Sequence, residues 1–339
     1  MHAFSGNRPS TYQRQGGFTL VELMVAMLIT LILLAGISQI YLSTRKSYAV
    51  QNTLAHQQQT ARYVMEVIGQ DLRRAGYMGG NASPAEITGS LGFVSDNGTC
   101  PAGDDTWVRM VDRRIFGLND TNNGGATSNY SSCIPNADHV RGDILVMRYA
   151  APWIIGSTTT PSFENNRVYL RTGLFDGNIF KGANAADAVN QINTAATPSG
   201  RVSELVAHAY YISNSAGQPR CAGVTVPSLF REAPDANGRP VAEEVAYGVD
   251  NLQVRYGIDD DISAADFDGD GAVDRYFDAQ NVPDWNQVVT ARIWLLTRAE
   301  CPETGYTNNR TYVMGDQNYA VNDGFRRQLY QTTVNIRNR

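Results

Sequence analysis

Residues 18–41, FTLVELMVAMLITLILLAGISQIY, run for 24 residues with a single charge, at Glu22. At about 1.5 Å of rise per residue, this stretch spans the roughly 30 Å core of a bilayer, so it reads as a transmembrane helix. A secretory signal peptide has a shorter apolar core and a small-residue cleavage site after it, whereas polar, helix-compatible residues follow Leu42 here. The unusual features are upstream. Gly16 and Gly17 stand directly before the apolar run, and the Glu22 carboxylate falls at its fifth residue, where a buried charge costs on the order of a few kcal/mol. A plain signal anchor would let Glu22 reach up to the headgroups. A chain cut after Gly17 would instead place the new amino group of Phe18, or that of a neighbouring subunit, one helical turn from Glu22.

The helix pattern does not stop at the membrane. No proline occurs between Phe18 and Ser83, and Leu54, Ala61, Val64, Met65, Ile68 and Leu72 recur mostly three and four residues apart, as on a half-buried helix. Arg73 and Arg74, followed by Gly76, Gly79, Gly80 and Pro84, mark its end. The chain therefore divides into a basic leader (1–17), a membrane half-helix (18–41), an amphipathic half-helix (42–78) and a globular remainder (79–339). From Phe18 to Gly76 the helix would measure roughly 90 Å.

GFTLVELMVAM resembles the cleavage and methylation signature of type IV pilins and type II secretion pseudopilins, and the helix end DLRRAGYMGG (71–80) resembles that of the PilW family of minor pilins and the related J-type pseudopilins. The resemblance implies cleavage between Gly17 and Phe18 by a prepilin peptidase, N-methylation of Phe18, and a role for Glu22 in guiding the subunit into register. It also implies other minor and major pilins as partners. The location it implies is the inner membrane, in a single pass with a periplasmic C-terminal domain, then the pilus. Arg8 and Arg14 on one flank face Arg45 and Lys46 on the other, so orientation rests on the motif.

Beyond Gly79, short β-type runs lie between turn residues: 143–149, 167–171, 205–213, 251–257, 288–297 and 328–336. The expected architecture is α+β, pilin-like, with the long helix on one face of an antiparallel sheet. Alternation in Gln253-Val254-Arg255-Tyr256 predicts that the other face is solvated. Residues 100–138, rich in Asn, Gly, Asp and Ser, read as a surface loop insertion. The last strand ends among Arg326, Arg327, Arg337 and Arg339, charges that would discourage further pairing at an edge.

The chain carries a net charge of −5. Removing residues 1–17 takes away Arg8 and Arg14 and no acidic residue, leaving −7, which argues against nucleic acid as a partner. Cys100, Cys133, Cys221 and Cys301 form no CxxC pair. Loop locality favours Cys100 with Cys133 and Cys221 with Cys301, among three connectivities and with free thiols as the alternative. The histidines at 2, 56, 139 and 208 are scattered, and no nucleotide-binding glycine pattern is present, so nothing points to an enzyme.

One segment carries site chemistry. Asp266, Asp268, Asp270 and Asp274, with Gly271 and the Ala272 carbonyl, follow D-x-D-x-D-G-x-x-D after Asp259, Asp260 and Asp261, which is the oxygen-rich pattern of a calcium loop. Phe277 stands where an EF-hand has its bidentate Glu, so the loop is closer to the isolated aspartate-rich loops of extracellular proteins. Three functions fit the sequence: a minor pilin in pilus assembly and initiation, a J-like minor pseudopilin of type II secretion, or a calcium-dependent binding module at a filament tip. Loss of twitching against loss of protein export would separate the first two.

Overall fold

A computed structural model describes residues 16–79, 87–88, 91, 94–95, 98–120, 130–135, 137–152, 163–173, 177–184, 201–217, 219–261 and 269–338. The chain forms two compact units, residues 1–53 and 54–339. Helix α1 is Leu20–Arg74. In the first unit its side chains are exposed, including Leu23, Leu28, Ile32 and Ile40.

In the second unit, Ala61, Val64, Ile68 and Leu72 bury one stripe of α1 in a core that also takes Ala75. Two sheets supply the rest. The first runs in the order β1 (Ile87–Thr88), β5 (Gly177–Lys181), β4 (Val168–Thr172), β6 (Arg201–Asn214), β3 (Arg141–Ala150), β2 (Ile115–Leu118), with β7 (Pro227–Pro234) pairing with β6 and β8 (Pro240–Tyr247) pairing with β7. The second runs β10 (Arg275–Asp278), β9 (Val249–Ile258), β11 (Val288–Arg298), β14 (Arg327–Asn335), and β12 (Thr311–Met314) and β13 (Gln317–Ala320) form a hairpin. Apart from the short parallel pair β1 and β5, all pairings among the described strands are antiparallel.

The central strands β3 and β6 of the first sheet are buried on both faces, and the two-residue period of a strand sorts their side chains. Leu145, Met147, Tyr210 and Ile212 join the core with α1, while Ile144, Val146, Ala207, Ala209 and Tyr211 meet a second cluster on the other face. That cluster contains Trp107, Val108, Met110, Val111, Tyr130 and Ile134, so the 100–138 segment, expected to be a surface insertion, supplies a large part of a core. Its polar composition conceals a few large apolar anchors. A second expectation also changes. Gln253 is fully buried, because the hairpin turn covers that face, with Gly315 against Gln253, Arg255 and Trp294.

The C-terminus closes the end of α1. The Asn338 side-chain amide donates to the carbonyls of Arg73 (3.0 Å), Arg74 (3.4 Å) and Ala75 (3.4 Å) at the end of the helix, the Arg74 carbonyl also accepting from the Tyr77 N–H (2.8 Å). Gly76 has φ of +80°, and a Cβ there would lie 2.5 Å from the Asn338 carbonyl oxygen, so only glycine fits. The arginines at the start of β14 are not a charged fringe as expected: Arg327 is buried and pairs with Asp250 (2.6 Å) and Asp323 (2.7 Å), and Arg326 pairs with Glu303.

Candidate functional site

The first unit begins with a reciprocal cap. The backbone N–H and hydroxyl of Thr19 both donate to Glu22 Oε2 at 3.1 Å, and the Glu22 N–H donates to Thr19 Oγ1 at 3.3 Å. This is a capping box, with Thr19 outside the helix and Glu22 at its third position. The Thr-x-x-Glu spacing of this cap is readable in the sequence, beside the charge of Glu22. The carboxylate satisfies the Thr19 N–H, which lacks a partner within the helix, and its charge lies at the positive end of the helix dipole. Around it the apolar surface is bare: Phe18 is 88% exposed and Leu20 76%. Among the described residues, α1 is the one helix long and apolar enough to cross a membrane by length and composition. Gly17 lies directly before this exposed Phe18.

The second site lies between β9 and β10. Asp259, buried at the end of β9, donates its N–H to the Gln287 carbonyl (3.0 Å) and accepts from the N–H groups of Asp261 (3.2 Å) and Gly271 (2.8 Å). These bonds fold the loop so that carboxylate oxygens of Asp259, Asp261 and Asp270 lie within 4.8 Å of one another. Asp270 also accepts from the Ala272 N–H (2.7 Å), and Asp274 from the Asp260 N–H (2.8 Å), while Asp260 pairs with Arg275 at 2.5 Å. Repulsion from Asp274 and Asp270 pushes the Asp261 carboxyl above its usual range. Three hard oxygen donors under mutual repulsion suit a cation such as calcium better than a soft metal. Of the residues expected to form the site, Asp266 and Asp268 lie outside the described residues. Asp270 is brought together with Asp259 and Asp261, which the motif reading placed only as a preceding run.

A third cluster was missed by sequence reasoning. Asp71, on the buried side of the last turn of α1, accepts from Tyr149 Oη (2.8 Å), Tyr210 Oη (2.6 Å) and His208 Nδ1 (2.6 Å). Burial raises the Asp71 carboxyl, but these partners, His208 foremost, outweigh it and hold the group below its usual value. The two tyrosines and the histidine sit on β3 and β6, so the network fixes the end of the helix to the first sheet. In the sequence Asp71 reads as an ordinary polar residue near a helix end, and its partners lie 78 to 139 positions away.

Both disulfides follow the local pairing. Cys100–Cys133 and Cys221–Cys301 each have Cα atoms 5.8 Å apart, as the bond requires.

Residues 209–338, which hold the last six residues of β6 and all of β7 to β14, match the family model described as Type IV Pilus-assembly protein W, and residues 12–38 match the prokaryotic N-terminal methylation motif. No curated protein and no solved structure matches the chain. An exposed apolar helix carrying a methylation motif, ahead of a β-rich domain whose C-terminal part matches that pilus-assembly family, makes the chain similar to PilW-family prepilin-like pilins over those two segments and supports a type IV pilus-related pilin.

Proposed function

We propose that this protein is a minor pilin that takes part in assembling and initiating a type IV pilus from the inner membrane. The observation that carries the reading is the presence in one chain of the methylation motif at 12–38 and the PilW match at 209–338. The leader is removed between Gly17 and Phe18 by a prepilin peptidase, Phe18 is methylated, and the exposed apolar side chains of α1 pack with other pilins once they leave the bilayer. Glu22 then has two tasks. Its capping bonds hold the carboxylate near the helix start, and the ammonium of a processed Phe18, its own or a neighbour's, offsets the charge that the apolar surroundings disfavour. A subunit out of register leaves that charge unpaired.

Deletion of the chain should reduce surface pili and twitching, and Glu22→Ala should fail to restore them although its second unit folds. Normal piliation with failed protein export would assign the chain to type II secretion as a J-like pseudopilin.

The loop at 259–274 is the second part of the proposal: Asp259, Asp261 and Asp270 hold a calcium ion, with Asp274 and the motif residues Asp266 and Asp268 as further oxygen donors. Calorimetry of the full chain in detergent should show calcium binding that Asp270→Asn weakens about tenfold or more, since site charge tunes such affinities. No heat at millimolar calcium would end the idea. Binding of an extracellular ligand only in the presence of calcium, with piliation intact in the deletion strain, would instead favour the tip binding module.

A further inference from the structure

The outer edge of β14 faces a groove of about 580 Å³, walled by Gln58 and Arg62 of α1 on one side and by Arg310 and Tyr312 at the start of β12 on the other. We propose that this groove docks an acidic, extended segment of a partner protein, which adds as a strand to β14 and sets its carboxylates on Arg62 and Arg310. The inference goes beyond pilus membership, because it concerns the second unit and needs no assembled filament.

Three observations carry it. First, β14 pairs with β11 alone among the described strands, so its other edge presents a row of backbone donors and acceptors that an extended chain can fill. Natural edges are commonly blunted by charge or proline. The segment Gln328-Leu329-Tyr330 that lines the groove has neither, and Leu329 is 37% exposed.

Second, the charges sort into used and unused. Arg326 is neutralised by Glu303, and Arg327 by Asp250 and Asp323. Arg62 and Arg310 have no carboxylate partner among the described residues. Two unpaired guanidiniums across one groove, on a chain of net charge −5, form a local positive site against an acidic background. Guanidinium forks favour carboxylates in bidentate geometry. Arg62 also acts on the Tyr330 hydroxyl, whose proton is held mainly by burial, so its charge reaches the floor of the groove.

Third, the chain's own acidic edge is spent. The exposed strand β8 carries Glu243 and Glu244, but Glu243 pairs with Arg231 and Glu244 accepts from the Ser215 hydroxyl at 2.9 Å. The other free edge of the second sheet, β10, starts with the basic Arg275. Neither suits the groove, which leaves a different protein as the source of the acidic strand.

The test uses the full chain in detergent micelles and a short fluorescent peptide of alternating glutamate and threonine, with a lysine–threonine peptide as its counterpart. The acidic peptide should bind, slow amide hydrogen exchange in β14 around Leu329, and lose about tenfold or more in affinity in the Arg62→Glu/Arg310→Glu variant and on raising salt. Absence of binding at millimolar peptide, equal binding of the lysine peptide, or unchanged affinity in the double variant would overturn the proposal. So would self-association of the chain that the double variant abolishes, since that outcome gives the groove to a second copy.

Discussion

Asp71→Ala is expected to destabilise the 54–339 unit by about 3–5 kcal/mol, because the substitution strands three buried donors at once. Tyr149 Oη, Tyr210 Oη and His208 Nδ1 all point at this carboxylate, and Asp71 itself is 5% exposed. All three side chains belong to buried residues. The network also joins elements far apart in the chain, α1 with β3 and β6, so its loss frees the end of the helix as well as leaving polar groups dry. A loss of this size is a large part of the roughly 5–15 kcal/mol that holds a typical domain together. Thermal unfolding of the full chain in detergent, followed by circular dichroism, should fall by roughly 10 °C. An unchanged melting point would mean that the three donors find other acceptors.

The sign of the pH dependence follows from the same site. The folded state holds the Asp71 carboxyl below the value of 3.8 it has when unperturbed. Its stabilisation is therefore complete above that value, and it is lost as pH falls through the lower folded pKa. Acid unfolding of the wild-type chain should begin below about pH 4 with a component that Asp71→Ala no longer shows.

Loss of the Cys221–Cys301 bond should cost about 4.5 kcal/mol, against about 3.8 for Cys100–Cys133, because the longer closed loop restrains the unfolded chain more. The separations are 80 and 33 residues. Position adds to length. Cys221 lies in the connection between β6 and β7 of the first sheet, and Cys301 follows β11 of the second, so this bond links the two sheets. The Arg220–Glu300 pair lies beside it, with the Arg220 N–H also donating to Glu300 at 2.5 Å. The Cys221→Ser/Cys301→Ser variant should melt below the Cys100→Ser/Cys133→Ser variant, and both below wild type. Equal melting of wild-type protein with and without a reductant would contradict the structural role of these bonds.

Much of this fold could be read along the chain because its causes are local. The end of α1 is written in Arg73, Arg74 and Gly76, and β3, β6, β9, β11 and β14 coincide with apolar, β-branched runs. The pairing of the cysteines followed sequence proximity. What escaped notice depends on partners distant in sequence. β7 and β8, with Arg231, Glu232, Glu243 and Glu244, are too polar to stand out; cross-strand pairs such as Arg231 with Glu243 make them a ribbon. β12 and β13 are four residues each, too short for a periodic pattern, and their hairpin inverts the expected exposure of Gln253. The burial of Asp71 and His208 cannot be inferred from neighbours in sequence, since each is satisfied only across the helix–sheet contact. In the candidate sites, Glu22 and the aspartate loop were visible as motifs. The cap by Thr19 is also written in the Thr-x-x-Glu spacing, whereas the convergence of Asp259 and Asp261 on Asp270 required the backbone path.

The central claim is that this chain is a processed pilin, and the mature N-terminus tests it most directly. Mass spectrometry of the protein recovered from sheared filaments should find a first residue of methylated Phe18, with residues 1–17 absent. An intact leader, or cleavage elsewhere, on the filament-associated protein would contradict the account.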